Sequence, residues 1–267
     1  MEKVVLVLGG GGVKGLAHVG AWRAVQEAGI EVAEIVGTSI GGLVAAGIAG
    51  GDTYETLRDK AFALKKADLV TVNRWAVLFN GIRQQSVFRG DVFADYVRSI
   101  LPVDSFAELS LPVSMNATDL GTGEMVWLGA GGNSSVSVSD AVIASCSLPV
   151  FYPPVKVGGR WLVDGGIGDN LPIDFAASRG AARIIAIDVG AGNTRDPEEI
   201  VNQGMVAIHH RATEMMGYPR KMARLAAWDG PPLTYVRPRI AEFSTFEFGR
   251  TDFFLEEGYR ATLEALR

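Results

Sequence analysis

The sequence predicts an α/β fold, a three-layer α/β/α arrangement with a mainly parallel central sheet and helices on both faces. Three observations predict it. Strand-like and helix-like patterns alternate along the chain, the signature of a parallel sheet covered by helices. Residues 3–8 are a continuous run of β-branched residues and leucine, as a strand buried on both faces requires. Glycine clusters at Gly9–Gly12, Gly37–Gly42 and Gly165–Gly166 stand where strands give way to turns. Nothing in the 267 residues reads as a repeat, low-complexity tract or linker. The expectation is one domain over 1–267, with the chemistry-bearing region at about 4–190 and a helical part at about 197–267.

Each element follows from local pattern. After the first strand, a helix fits Lys14 to Ala28, with Leu16, Val19, Trp22 and Val25 on one side and Gly29 as its stop. A short strand at 33–37 ends in the turn Gly37-Thr38-Ser39-Ile40-Gly41. Ile40 to Ala49 is apolar all round, so that helix is expected to be buried. Helices are predicted near 53–66 and 90–100, and a strand near 112–118 leads to the Gly121-Thr122-Gly123 turn. A further helix covers Asp140 to Ser147, stopped by Pro149. Val155 to Val163 reads as a hairpin turning at Gly158-Gly159, and its second arm delivers Asp164-Gly165-Gly166. A strand at 183–189 and helices near 197–217 and 250–266 complete the pattern.

Composition excludes several function classes. A formal net charge of −5 with no basic stripe argues against nucleic-acid binding. Cys146 is the sole cysteine, which rules out an intramolecular disulfide and disfavours a cysteine zinc site. The run Val4–Leu8 is too short for a signal peptide, and Ile35 to Ala49 is broken by glycines and falls short of a membrane span. The expectation is a soluble, cytoplasmic protein, at most peripheral at a membrane.

Three motifs carry chemistry. Gly37-x-Ser39-x-Gly41 between a strand and a helix is the context of a nucleophile elbow, which exposes a serine hydroxyl on a tight turn. Ser39 as an ordinary helix cap is the bland alternative. The loop Gly9-Gly10-Gly11-Gly12-Val13-Lys14-Gly15 brings unobstructed N–H groups to a helix start, an anion-binding nest or else a packing turn. Adjacent first and second strands would put both motifs at the carboxyl edge of the sheet, where open α/β sheets bind ligands. Asp164, at a strand end, is a general base if burial raises its pKa, and otherwise a turn residue.

Together the motifs resemble the patatin-like phospholipase family: Gly-Gly-Gly-x-Lys-Gly at 10–15, Gly-x-Ser-x-Gly at 37–41 and Asp-Gly-Gly at 164–166. The block Ala144-Ser145-Cys146-Ser147-Leu148-Pro149, continuing through Phe151, Pro153, Pro154 and Val155, is also similar. The resemblance implies Ser39 as nucleophile and Asp164 as general base in a dyad without histidine. It implies an oxyanion hole from the backbone of Gly10, Gly11 and Gly12, with Ile40 at the start of the helix after Ser39. Lys14, Gly15, Gly37, Gly41, Gly165, Gly166 and Pro149 support the motifs; Lys14 stands where many members carry arginine, so any bidentate role is lost. The implied reaction is hydrolysis of a lipid acyl ester, with no metal or organic cofactor.

Other readings compete. A histidine-dependent hydrolase would draw on His18, His209 or His210. Gly10-x-Gly12-x-x-Gly15 also matches a dinucleotide fingerprint, although Gly37-Thr38-Ser39 stands where the ribose-binding acid belongs. A non-catalytic lipid- or anion-binding module on the same fold is a third. Trp75, Val77, Leu78 and Phe79 form either a lip for transient membrane-surface contact or, as the favoured reading, core packing. Met205, Met215, Met216 and Met222 line an acyl pocket or, more simply, fill gaps. Oligomeric state is not legible.

Overall fold

The computed structural model describes residues 3–72, 78, 81–190, 192 and 195–267. Its eight strands are β1 (Val4–Leu8), β2 (Val32–Thr38), β3 (Val113–Asp119), β4 (Met125–Gly129), β5 (Val155–Val157), β6 (Arg160–Asp164), β7 (Arg183–Ile187) and β8 (Leu233–Val236). They form one sheet in the order β5-β6-β3-β2-β1-β7-β8, with β4 also on β3. The strands from β3 through β2, β1 and β7 to β8 are parallel neighbours. The pairs β3–β4, β3–β6 and β5–β6 are antiparallel.

The helices among the described residues are α1 (Ala17–Glu27), α2 (Ile40–Ala49), α3 (Tyr54–Ala63), α4 (Lys66–Leu69), α5 (Gly90–Ile100), α6 (Val138–Ser145), α7 (Ile173–Ser178), α8 (Pro197–Asn202), α9 (Met205–Ala226) and α10 (Thr251–Leu266). β1 shows how they share the sheet. Val4, Leu6 and Leu8 point into the larger core with residues of α1, α2, α3, α5, α6 and α10. Val5 and Val7 point the other way, onto Leu171, Ile173 and Ala176 at α7, with Leu225 and Trp228 packed at the margin. Period-two alternation through a doubly covered strand produces the three layers. The second helical layer is much the thinner.

The expected helix from Lys14 starts differently. Gly12 takes φ +62 and the chain enters a 3-10 turn, Gly12–Leu16, before α1 begins. Tertiary contact overrides helix propensity there, since the Val13 N–H donates to the Thr245 carbonyl at 2.8 Å. The helix expected at 197–217 is two helices, broken where Gly204 adopts φ 86. α9 then continues through Pro219, which lies on the exposed side, where losing a backbone donor costs least. The short β4, α7 and β8 carry no periodicity long enough to announce them. Among the described residues no helix is long and apolar enough to cross a membrane.

Candidate active site

β1 and β2 run parallel with Leu8 opposite Gly37, so the loops that follow them leave the same sheet edge. Ser39, between β2 and α2, holds φ 53 and ψ −126. That is a strained conformation for a non-glycine residue, of the kind that clusters at functional sites. The two motif glycines allow this turn by leaving space for close backbone approach, not by taking positive φ. A Cβ on Gly37 would stand 2.5 Å from the Gly42 Cα, and one on Gly41 would stand 2.0 Å from the Leu8 carbonyl oxygen. The Ser39 N–H donates to the Ser145 hydroxyl at 2.8 Å.

Asp164 closes β6 and is buried. Burial raises its pKa to about 6, with the nearby Ser39 side chain and the Gly166 N–H offsetting part of the rise. The Gly166 bond to Oδ1 is 2.7 Å long. The two side chains singled out in the sequence therefore lie close enough to interact. Gly165 is required by closeness, since a Cβ there would lie 2.3 Å from the Asn116 carbonyl. Asn116 holds the turn from beneath, donating to the Gly165 and Asp169 carbonyls at 3.2 and 2.8 Å.

The glycine loop reaches over the same spot. A Cβ on Gly10 would lie 3.3 Å from the Ser39 Cβ. The Gly10 N–H, however, is already donated to the Asn170 carbonyl at 3.2 Å, and the Asn170 amide returns a bond to the Gly10 carbonyl at 3.0 Å. Among the described residues no acceptor takes the N–H groups of Gly11 or Gly12. Ile40 opens α2 and packs under the loop, where a Cβ on Gly15 would meet its Cγ2 at 2.3 Å. Lys14 is fully buried with its Nζ unpartnered. Burial lowers its pKa to about 8 against the pull of Glu214. Pro149 sits half-buried in the turn after α6, ahead of Val150 at φ 73.

Sequence pattern assigns no role to Asn170 or Ser145. Ser145 belongs to the Ala144–Pro149 block. Asn170, six residues past Asp164, had no signal beyond its place after the Asp-Gly-Gly turn.

Ser39, Asp164, Gly10, Gly11, Gly12 and Ile40 all line one cavity of about 660 Å³. Its walls include Leu43, Val44, Leu57, Leu64, Leu69 and Phe93, and from α9 His210, Glu214 and Lys221. The large apolar share with a few convergent polar groups is what a small-molecule site shows. Met205, Met215, Met216 and Met222 are not in its walls; they are exposed, so neither the acyl-pocket nor the gap-filling expectation holds for them. Trp75, Val77 and Phe79 of the expected lip lie outside the described residues, and Leu78 is exposed.

The histidines are engaged elsewhere. His18 is buried with Nε2 on the Gly9 carbonyl at 2.8 Å, and burial lowers its pKa to about 4. His210 faces inward but bonds Thr245 Oγ1 at 2.7 Å, while His209 is exposed. Among the described residues no group of histidine, cysteine and carboxylates is arranged to hold a metal ion.

The family model described as patatin-like phospholipase matches residues 6–177, well over half the chain. The chain belongs to the patatin-like phospholipase family. Among curated relatives of this patatin-like chain, patatin-like phospholipase domain-containing protein 7 of Mus musculus is 31% identical across 96% of the chain and 20% of its own length. Lysophospholipase NTE1 of Pyricularia oryzae is 30% identical across all of the chain and 18% of its own length. The uncharacterized NTE family protein Rv1063c of Mycobacterium tuberculosis is 34% identical across 73% of the chain and 52% of its own length. The chain thus spans about a fifth of the first two relatives. VipD from Legionella pneumophila shares the fold, with a TM-score of 0.63 at 15% identity over 99% of the chain and 66% of VipD. The patatin-like assignment removes the dinucleotide-binding reading of the glycine loop.

Proposed function

We propose that residues 1–267 act as one hydrolase domain that cleaves carboxylic esters of phospholipids or lysophospholipids, with Ser39 as nucleophile and Asp164 as general base. The observation that carries this reading is Ser39, on a strained backbone turn, near a buried carboxylate raised to about 6, both lining one largely apolar cavity. A base poised near the operating pH accepts a proton most effectively. Family membership and the lysophospholipase among the relatives support the substrate class.

Asp164 takes the Ser39 proton as Oγ attacks the ester carbonyl. The carbonyl oxygen gains the negative charge and is met by N–H groups of Gly11 and Gly12 and by the Ile40 N–H at the start of α2, each such donor contributing about 3 kcal/mol. Collapse breaks the ester C–O bond, and the proton on Asp164 passes to the leaving alcohol. Asp164 then deprotonates water, which attacks the acyl carbon; collapse breaks the acyl–Oγ bond, the proton on Asp164 returns to Ser39 Oγ and the fatty acid leaves. The apolar lining with Leu43, Leu57 and Phe93 holds the acyl chain. Gly10, whose N–H is spent on Asn170, positions the loop instead of donating. His210 is bonded to Thr245, which favours the dyad over a histidine triad.

The test is hydrolysis of a chromogenic medium-chain ester, then fatty-acid release from lysophosphatidylcholine. Ser39→Ala and Asp164→Asn are expected to lose at least about 1000-fold in rate, and His209→Ala/His210→Ala to stay within about tenfold. Survival of Asp164→Asn with loss in the histidine variant overturns the dyad. A folded wild type inert on every ester overturns the hydrolase.

A further inference from the structure

α9 presents its two faces the wrong way round for a surface helix. Its polar residues turn inward: Lys221 pairs with the buried Asp188 at 2.6 Å, and His210 bonds Thr245. Its exposed side is apolar. Met205, Ile208, Met215, Met216 and Met222 recur at helical spacing, with Met216 81% and Met205 77% exposed. Every exposed residue of α9 other than His209 and Arg220 is apolar or glycine. Twenty-two residues make a stripe about 33 Å long. Single exposed apolar side chains need no explanation, but a contiguous stripe of this kind marks an interaction surface.

Its chemistry selects the partner. Of the α9 cations, Arg211 is paired with Glu214, Lys221 with Asp188 and Arg224 with Asp174 and Asp229, which leaves Arg220 as the exposed charge beside the stripe. Arg220, at the edge of the stripe, donates to the Gly168 carbonyl and forms no ion pair among the described residues. An apolar face with an exposed arginine at its rim suits a membrane interface, where the apolar side chains enter the acyl boundary and the guanidinium meets anionic headgroups. The stripe is also continuous with the cavity, which reaches the surface at exposed Gly217 and Arg220 on this helix. Methionine suits such a face, because its unbranched thioether adapts to an irregular partner.

We propose that the outer face of α9 docks on an anionic phospholipid surface, setting the cavity mouth against the lipid that supplies its substrate. The docking rests on the lipid-ester reading above. Binding is therefore measured apart from turnover, on Ser39→Ala protein sedimented with vesicles of phosphatidylcholine alone or mixed with phosphatidylserine. The chain is expected to pellet with the mixed vesicles and more weakly with the neutral ones. Adding Met215→Glu/Met216→Glu is expected to weaken binding at least about tenfold. In the Ser39 background that pair should leave hydrolysis of a soluble short-chain ester within about twofold, since neither methionine lines the cavity. The milder Met205→Gln/Met216→Gln pair repeats the measurement should the charges disturb the fold. Equal binding by parent and methionine variants overturns the proposal. So does a parent that ignores both vesicles, including one that self-associates through these methionines. Vesicle binding without hydrolysis of any ester leaves docking standing and fails the enzymatic reading instead.

Discussion

Asp164 carries two consequences of one fact. Burial raises its pKa from the ordinary 3.8 to about 6, and the nearby Ser39 side chain and the Gly166 N–H recover only part of the cost of charge. As the proposed base it must be ionised, so the ester-hydrolysis rate should climb as pH rises through about 6 and level off above it. The same shift acts on stability. A carboxyl whose folded pKa is raised favours the fold while protonated, and that contribution is lost as pH rises from the unfolded value through about 6. At pH 8 the ionised, buried Asp164 therefore costs stability, on the order of 2–3 kcal/mol. Asp164→Asn should raise the melting temperature at pH 8 and give progressively less gain as pH falls below about 6 toward 4. A calorimetric pH series checks this. A gain independent of pH would mean that packing, and not charge, is responsible.

At the scale of elements, glycine decides where backbones touch. α1 and α10 cross with Gly20 and Gly258 facing each other. A Cβ on Gly20 would lie 1.8 Å from the Leu255 carbonyl oxygen, and one on Gly258 would lie 1.9 Å from that of Ala17. In a free helix Gly→Ala gains about 1 kcal/mol. Here the backbone oxygen has nowhere to go, and forced separation of packed elements costs about 1–3 kcal/mol. Gly258→Ala should therefore destabilise, lowering the urea midpoint, although propensity alone predicts the reverse. Little of this was legible in the sequence. The apolar periodicity of α1 and the glycine punctuation around Ser39 and Asp164 fixed their elements because those signals are local. β1, β2 and α2 were readable for the same reason. The Asn170 clamp on Gly10 and the Ser145 hydroxyl under the Ser39 N–H join residues more than 100 positions apart. No local pattern encodes such a pairing. α9 was legible as a helix but not in its orientation, because its cations look solvent-bound until Asp188 is seen beneath them.

Asp188 is where the whole molecule meets. It follows β7, accepts from the Gly190 N–H at 3.0 Å, and receives Lys221 of α9 at 2.6 Å and the Tyr235 hydroxyl of β8 at 2.7 Å, with Arg237 on the same oxygen. Burial alone would raise its pKa, but the Lys221 and Arg237 charges outweigh burial and hold it below the ordinary value. Two buried carboxylates near one sheet edge thus shift in opposite directions, the unpaired one upward and the paired one downward. The linkage sign reverses accordingly. A carboxyl with a lowered folded pKa contributes stability above its unfolded value near 3.8 and loses it as pH falls through the folded value. Removing the charge while leaving both cations in place costs about 3–5 kcal/mol, the usual penalty for breaking a buried pair from one side. Asp188→Asn should therefore lower stability strongly at pH 7 and much less below pH 4, the mirror image of Asp164→Asn. Because Lys221 ties α9 to this carboxylate, hydrogen exchange in α9 should speed up in Asp188→Asn more than in β1 or β2. Uniform acceleration across the sheet would mean that Asp188 stabilises the fold as a whole and does not specifically hold the helix over the cavity.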